Sequence, residues 1–290
     1  MLPAPVSTIS LTQSHTRATF PVQMPPASRS QQPALALFAV GLIALGIVAF
    51  VYADFAMTWQ PVPPIPFRTP LAYAAGALEL ALGIGLLIPA ATPIATRILF
   101  PYLVLWASLK LPSILAAPQV EGVWLGLGEL TLYLAGGWTL FAHLADLPES
   151  SLFAFATGER SARLARRLFA VSLIPIGLSH FVYAQATTDL VPAWMPIRHA
   201  WATITGAGQI ASGLGLLFNV LPRPAAWAEA IQITIYNLLI WIPAAILTHD
   251  RLSCTACAIS WTFGAAAIAV AQNTPPRAQQ ALSVPSPSVP

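Results

Sequence analysis

The only two cysteines in this 290-residue chain stand three positions apart, as Cys254-Thr-Ala-Cys257. That spacing belongs to thiol–disulfide exchange, because two sulfurs so close can cycle between dithiol and disulfide. The pair should open the last apolar segment, where a helix N-terminus would favour the thiolate of Cys254. His249 and Asp250 lie just before it. Two Cys with one His and one Asp could ligate zinc, but one short cluster is a weak zinc signal and no metal site is assigned. The pair therefore has three readings: a redox-active or structural disulfide, inert apolar cysteines, or a metal clip.

A second set of candidates follows from cost. Ionisable side chains inside apolar segments are expensive, so their positions mark sites. Glu79, Lys110 and Glu129 each sit in such a segment. At a helical rise of about 1.5 Å per residue they reach similar depths, on the order of 9–13 Å from one face. They would form a buried ion pair that fixes packing, or line a polar pocket for a ligand or proton path; otherwise Lys110 snorkels to the surface. The second half of the chain keeps this layout with less charge. Gln209 stands where Glu79 did, Trp241 for Lys110, Asn237 for Trp106 and His180 for Ala49. His180, one turn below Tyr183, is either a packing residue or a participant in proton transfer.

These correspondences rest on an internal repeat. Residues 37–53 match 168–184 at 11 of 17 positions, and 66–88 match 196–218 at 10 of 23. Both blocks are apolar. Hydrophobic residues make up 57% of the chain and charged residues 8%, against roughly 25% charged in an ordinary soluble domain. Lipid is therefore the expected solvent. Eight segments are long enough to span, near 34–53, 70–90, 93–116, 122–145, 168–186, 200–221, 224–248 and 254–272. The expected fold is all-α and polytopic, with about eight transmembrane helices as two parallel four-helix repeats related by an axis along the membrane normal.

With an even number of spans both termini share one side. That side holds Arg17, Arg29, Arg97, Arg160, Arg163, Arg166, Arg167, Arg223 and Arg277, and the other holds Arg68, Arg198 and Arg251. The bias predicts a multi-pass protein of the inner (plasma) membrane with both termini cytoplasmic. The net charge of +3 is largely this topological signal, and nucleic acid is not an expected partner. The domain plan is a disordered tail at 1–33, a first bundle at 34–145, a cytoplasmic linker at 146–167, a second bundle at 168–272 and a disordered tail at 273–290. Gly76, Gly83, Gly206 and Gly213 should permit close helix contact, as should Gly122 and Gly126. Pro112 and Pro243 should kink their helices. Trp59, Trp194 and Trp201 fit an interfacial belt. No phosphate-binding loop, HExxH or nucleophile elbow is present, which disfavours hydrolases and nucleotide-driven pumps.

The repeated unit is an apolar helix ending in Phe-Val-Tyr-Ala, a Pro/Trp-rich loop, a Gly-rich helix with a central Glu or Gln, then two more spans. It resembles the DoxX-like family of four-helix membrane proteins, here duplicated in tandem. The likeness is best at Gly177-Leu-Ser-His180, Pro192-Ala-Trp194, Gly206-Ala-Gly-Gln209 and Gly213-Leu-Gly-Leu-Leu217. The resemblance implies a redox component linked to a quinone or to a redox partner protein, with Cys254 and Cys257 cycling and His180 or His249 assisting proton transfer. The alternatives are a transporter or binding protein for a small molecule, lined by Glu79, Lys110, Glu129, Gln209 and Asn237, or a non-catalytic accessory subunit of a membrane complex. Whether the chain is an enzyme is left open by these motifs.

Overall fold

The computed structural model describes residues 32–275. The tails expected at 1–33 and 273–290 fall almost wholly outside the described residues. Among those described there is no strand. The helices are α1 (Gln32–Tyr52), α2 (Arg68–Leu87), α3 (Thr92–Ala116), α4 (Glu121–Leu144), α5 (Gly158–Val182), α6 (Ala184–Leu190), α7 (Arg198–Leu217), α8 (Pro222–Tyr236), α9 (Ile242–Thr248) and α10 (Arg251–Gln272). A π-helical turn, Asn237–Trp241, joins α8 to α9 into one long element.

Six elements are long and apolar enough to cross a membrane: α1, α2, α3, α5, the α8–α9 element and α10. Their outward faces carry Ile47, Val51, Ile94, Leu105, Val171 and Leu238, all exposed. An apolar exterior of this extent is what a lipid environment selects. α4 and α7 are 24 and 20 residues long. α4 is an unbroken helix that carries Glu129 within its apolar run, and much of it is buried.

The helices close a ring in which each packs on the next: α1, α2, α3, α4, α5, α7, α8 and α10, with α10 returning to α1 and α4 touching α10 across the middle. One hydrophobic core runs through both halves, from Phe38 and Leu99 to Phe169 and Phe263. α1 thus packs on the last helix of the second half, and α5 on the last helix of the first. The Phe-Val-Tyr-Ala motif shows why. The hydroxyl of Tyr52 donates to His249 O (2.8 Å) at the start of α10, and that of Tyr183 accepts from Gly122 N (2.9 Å) at the start of α4. Trp261 Nε1 further ties α10 to Leu37 O (3.0 Å).

The glycines in α2 and α7 permit close contact as expected. A Cβ on Gly76 would lie 2.8 Å from Ala49 Cβ, and one on Gly206 would lie 2.5 Å from His180 Cβ. Gly122 and Gly126 instead receive side chains, those of Tyr183 and Lys110. The two prolines behave differently. α3 runs through Pro112 without a break in its assignment. Before Pro243 the chain widens into the π turn, with Ile242 N bonded to Asn237 O. The linker is shorter than expected, because α5 begins at Gly158 and takes Arg160, Arg163, Arg166 and Arg167 into its first turns.

Connectivity puts the 53–67, 117–120, 183–197 and 249–250 segments at one end, called the upper end below. α2 and α7 start there in the same unusual way. Phe67 (φ 62°) and Ile197 (φ 53°) are left-handed, a conformation that costs roughly 1–2 kcal/mol for a residue with a Cβ. Each turn aims the next residue, an arginine, at the loop before it. Arg68 bonds Val62 O and Pro63 O, and Arg198 bonds Val191 O and Asp189 O. Asp54 then bridges the halves, pairing with Arg68 (2.7 Å) and with Arg251 of α10 (2.9 Å).

Candidate functional site

The expected trio Glu79, Lys110 and Glu129 does not come together as an ion pair. Lys110 Nζ donates to Thr58 Oγ1 (3.0 Å) and lies over Gly126, where any Cβ would meet it at 2.7 Å. Among the described residues no carboxylate lies within 4.0 Å of it. Glu79 Oε1 accepts from Gln60 Nε2 (2.7 Å) and Tyr102 Oη (2.8 Å). Glu129 Oε2 accepts from Trp59 Nε1 (2.8 Å). Three similar depths therefore serve different hydrogen-bond partners, although Lys110 and Glu129 stay near enough to attract each other. Equal distance along an axis says nothing about the face on which each side chain emerges.

The partners of Glu79 and Glu129 come from the 53–67 loop, which folds inward. Phe55, Trp59 and Gln60 are all buried. Gln60 is pinned at both ends, its Oε1 accepting from Ala56 N (2.7 Å). Trp59 is thus no interfacial residue, whereas Trp194 and Trp201 are exposed as a belt requires.

A cavity of about 660 Å³ opens among α4, α5, α7, the α8–α9 element and α10. Its polar lining includes Glu129, His180, Gln209, Gln232 and Tyr236, set among apolar and aromatic side chains such as Trp59, Trp241 and Phe263. Residues of both halves share this one cavity. His180 Nδ1 lies 3.0 Å from Ala202 O, so the ring donates there and a neutral His180 keeps Nε2 as an acceptor. Gln232 Nε2 donates to Thr205 O (2.9 Å) and Tyr236 Oη (2.7 Å), and the Tyr236 ring stacks 6.2 Å from that of His180. Gln209 is 3% exposed, and its Oε1 has no partner.

Of the expected site residues, Glu129, His180 and Gln209 reach the cavity wall, and Glu79, Lys110 and Asn237 do not. Asn237 Nδ2 instead meets Cys257 O (3.3 Å). Sequence reasoning passed over Gln232, Tyr236 and Glu229. Glu229 is fully buried, and neither of its oxygens is hydrogen-bonded. The rule that singled out Glu79 applies equally to a carboxylate in the 224–248 run. The spacing of Glu229, Gln232 and Tyr236 also puts all three on one side of α8.

Cys254 and Cys257 are unbridged and half-buried, and neither borders the cavity. Cys254 Sγ accepts from the Tyr52 hydroxyl (3.2 Å), and its own N–H already bonds Asp250 O (3.1 Å). The end of α10 is capped instead by Asp250, which accepts from Ser253 N (2.9 Å) and Ser253 Oγ (2.7 Å). The helix N-terminus expected at Cys254 lies a turn earlier, at Asp250 and Arg251. Helical residues three apart have Cβ atoms roughly 5–6 Å apart, against about 3.5–4.5 Å in a disulfide, so oxidation would require α10 to distort between Cys254 and Cys257. No cluster of three or more His, Cys, Asp or Glu with metal-binding geometry occurs among the described residues.

The quinone that the resemblance implies has oxygens that only accept hydrogen bonds. The cavity wall holds acceptors, Glu129, Gln209 Oε1 and neutral His180 Nε2, and also the hydroxyls of Tyr236 and Ser260, so its groups match a quinone's carbonyls as well as a hydroquinone's O–H groups.

Compared with known proteins, residues 169–246 match the model of a domain of unknown function, DUF8561. The match spans α5 to α9 and so covers most of the cavity wall. No curated protein and no solved structure matches the chain.

Proposed function

We propose that the chain is an integral membrane protein that binds a small, largely apolar molecule with a polar end in the cavity shared by its halves. The observation that carries this reading is the cavity itself. Its volume is in the range of small-molecule sites, and its lining is mostly apolar with few convergent polar groups. Burying such a ligand would remove apolar surface from water or interfacial lipid, and the polar groups would orient it. This reading is a binding or transport one, and it draws more support than thiol redox chemistry because Cys254 and Cys257 lie off the cavity.

In this proposal α4 and α7 complete eight spans. The ring of contacts, with α1 on α10 answering α5 on α4, supports two parallel repeats in the manner of a duplicated DoxX-like unit. The upper end faces away from the cytoplasm, with Arg97 and the α5 arginines at the lower, cytoplasmic end. The placement of those arginines on the first turns of α5 supports this orientation.

The test is protein-dependent uptake of biphenyl by the full chain in lipid nanodiscs, measured against protein-free nanodiscs. Ser260 lines the cavity, so Ser260→Phe should abolish saturable uptake while the thermal midpoint stays near that of the unsubstituted protein. Equal uptake by a folded Ser260→Phe protein would refute the cavity as the site.

A further inference from the structure

The two halves treat equivalent positions in opposite ways, and the difference describes the ligand. In the first half, Glu79 receives hydrogen bonds from Gln60 and Tyr102. Gln60 arrives on a loop that also buries Phe55 and Trp59, so the chain fills this site with its own aromatic rings and its own amide donor. In the second half Gln209 stands at the position of Glu79 and Ile233 at that of Tyr102, and the loop before α7 brings no donor to Gln209 Oε1. Neither donor of the first half is kept. The corresponding loop forms α6, which buries none of its residues, and the space it leaves belongs to the cavity.

Gln209 is consequently an acceptor whose donors were removed. Its side chain lines the cavity and is almost fully buried, and its Oε1 lacks a partner. On its far side Gln209 faces the Glu229 carboxyl, whose two buried oxygens have no other donor, so the amide N–H₂ belongs on that side and Oε1 points inward. A buried acceptor left unmade costs about 1–3 kcal/mol, and a donor entering with the ligand removes that cost. Glu129 and neutral His180 Nε2 add acceptors to the same wall.

We infer that the ligand is an amphipathic molecule with a ring or short apolar body and one O–H or N–H donor, which bonds Gln209 Oε1 as Gln60 bonds Glu79. Phenols and hydroquinones are the chemical class. This rests on the cavity being a binding site, and the experiment separates the two ideas.

The probes are 4-phenylphenol and its methyl ether, 4-methoxybiphenyl, which share a body and differ in the donor. Uptake by the full chain in nanodiscs is compared with uptake by protein-free nanodiscs. The phenol should bind roughly two- to tenfold more tightly than the ether, the size of one net hydrogen bond. Gln209→Leu should bring the two to parity, and Gln209→Glu, which keeps an acceptor, should retain the preference. Equal binding of both probes to the unsubstituted protein, or a preference for the ether, would overturn the inference while leaving apolar binding intact. Protein-dependent binding of neither probe would overturn the cavity reading as well. The comparison on the unsubstituted protein decides the matter even if a Gln209 variant fails to fold.

Discussion

Replacing Glu79 separates a structural carboxylate from a functional one. Its Oε1 accepts two buried donors, Gln60 Nε2 at 2.7 Å and Tyr102 Oη at 2.8 Å. Glu79→Leu removes the acceptor from both. Gln60 Nε2 keeps a weaker contact with Tyr102 Oη at 3.1 Å, so the Tyr102 proton is the group surely orphaned. One to two orphaned donors at about 1–3 kcal/mol each give a loss of roughly 1–6 kcal/mol. Glu79→Gln retains a carbonyl oxygen at nearly the same place and should lose no more than about 1 kcal/mol. The assay is reversible unfolding in mixed micelles by denaturing detergent, followed by tryptophan fluorescence, since Trp59 and Trp106 sit beside the network. Biphenyl uptake by Glu79→Gln should match the unsubstituted protein, because Glu79 does not border the cavity. If Glu79→Gln is as damaging as Glu79→Leu, or abolishes uptake while folded, then the charge matters and not the acceptor oxygen, and the assignment of Glu79 to a self-filled site is wrong.

Two further outcomes follow from packing and charge. Gly206→Ala places a methyl 2.5 Å from His180 Cβ and 2.9 Å from Gly177 O, so α5 and α7 must part at a cost of about 1–3 kcal/mol. Gly264→Ala, whose methyl meets nothing within 3.7 Å, should be neutral or slightly stabilising, and equal losses in the two proteins would refute the close-contact reading. At the upper end, burial would raise the pKa of Asp54, but the Phe55 N–H with Arg68 and Arg251 holds it below its ordinary value. The Thr248 hydroxyl, with the Ser253 N–H and hydroxyl, holds Asp250 at about 2. Depressed carboxylates contribute stability that is present above their unfolded values, roughly 4, and is lost as pH falls through the folded ones. Stability should therefore decline below about pH 4, and the decline should be smaller in Asp54→Asn with Asp250→Asn. An unchanged profile in that double variant would place the acid-sensitive groups elsewhere.

The helices were legible because their signal is local. Long apolar runs, paired glycines and the repeated Phe-Val-Tyr-Ala each register in one stretch of sequence. The order of packing was less so, since nothing in the sequence says that Tyr52 reaches His249 and Tyr183 reaches Gly122, which sends each half's first helix to the other half's last. His180 and Gln209 were legible through the repeat that maps them onto Ala49 and Glu79, and Glu129 by its cost in an apolar segment. Glu79 and Lys110 met the same criterion and proved to be satisfied by loop groups, Gln60 and Thr58. Whether a loop between prolines folds inward depends on the room beneath it, which is a tertiary property. The π turn before Pro243 likewise depends on context, because Pro112 at the equivalent position left α3 uninterrupted.

The asymmetry between the halves bears on how the cavity must be studied. A pocket of about 660 Å³ that is open to its surroundings takes in whatever solvent or ligand can reach it. The first half fills the equivalent room with its own Phe55, Trp59 and Gln60. The second half keeps its α6 loop outside, so lipid chains, water or a ligand must fill the space in a bilayer. An apolar wall favours acyl chains over water, and a ligand then enters by displacing lipid. Affinity measured in nanodiscs should accordingly weaken as the acyl chains are made better competitors, while the preference for a donor at Gln209, which an acyl chain cannot satisfy, should not. A phenol-to-ether ratio that held steady across lipids of different chain length would assign the preference to Gln209, whereas a ratio that tracked bilayer partitioning would assign it to the membrane.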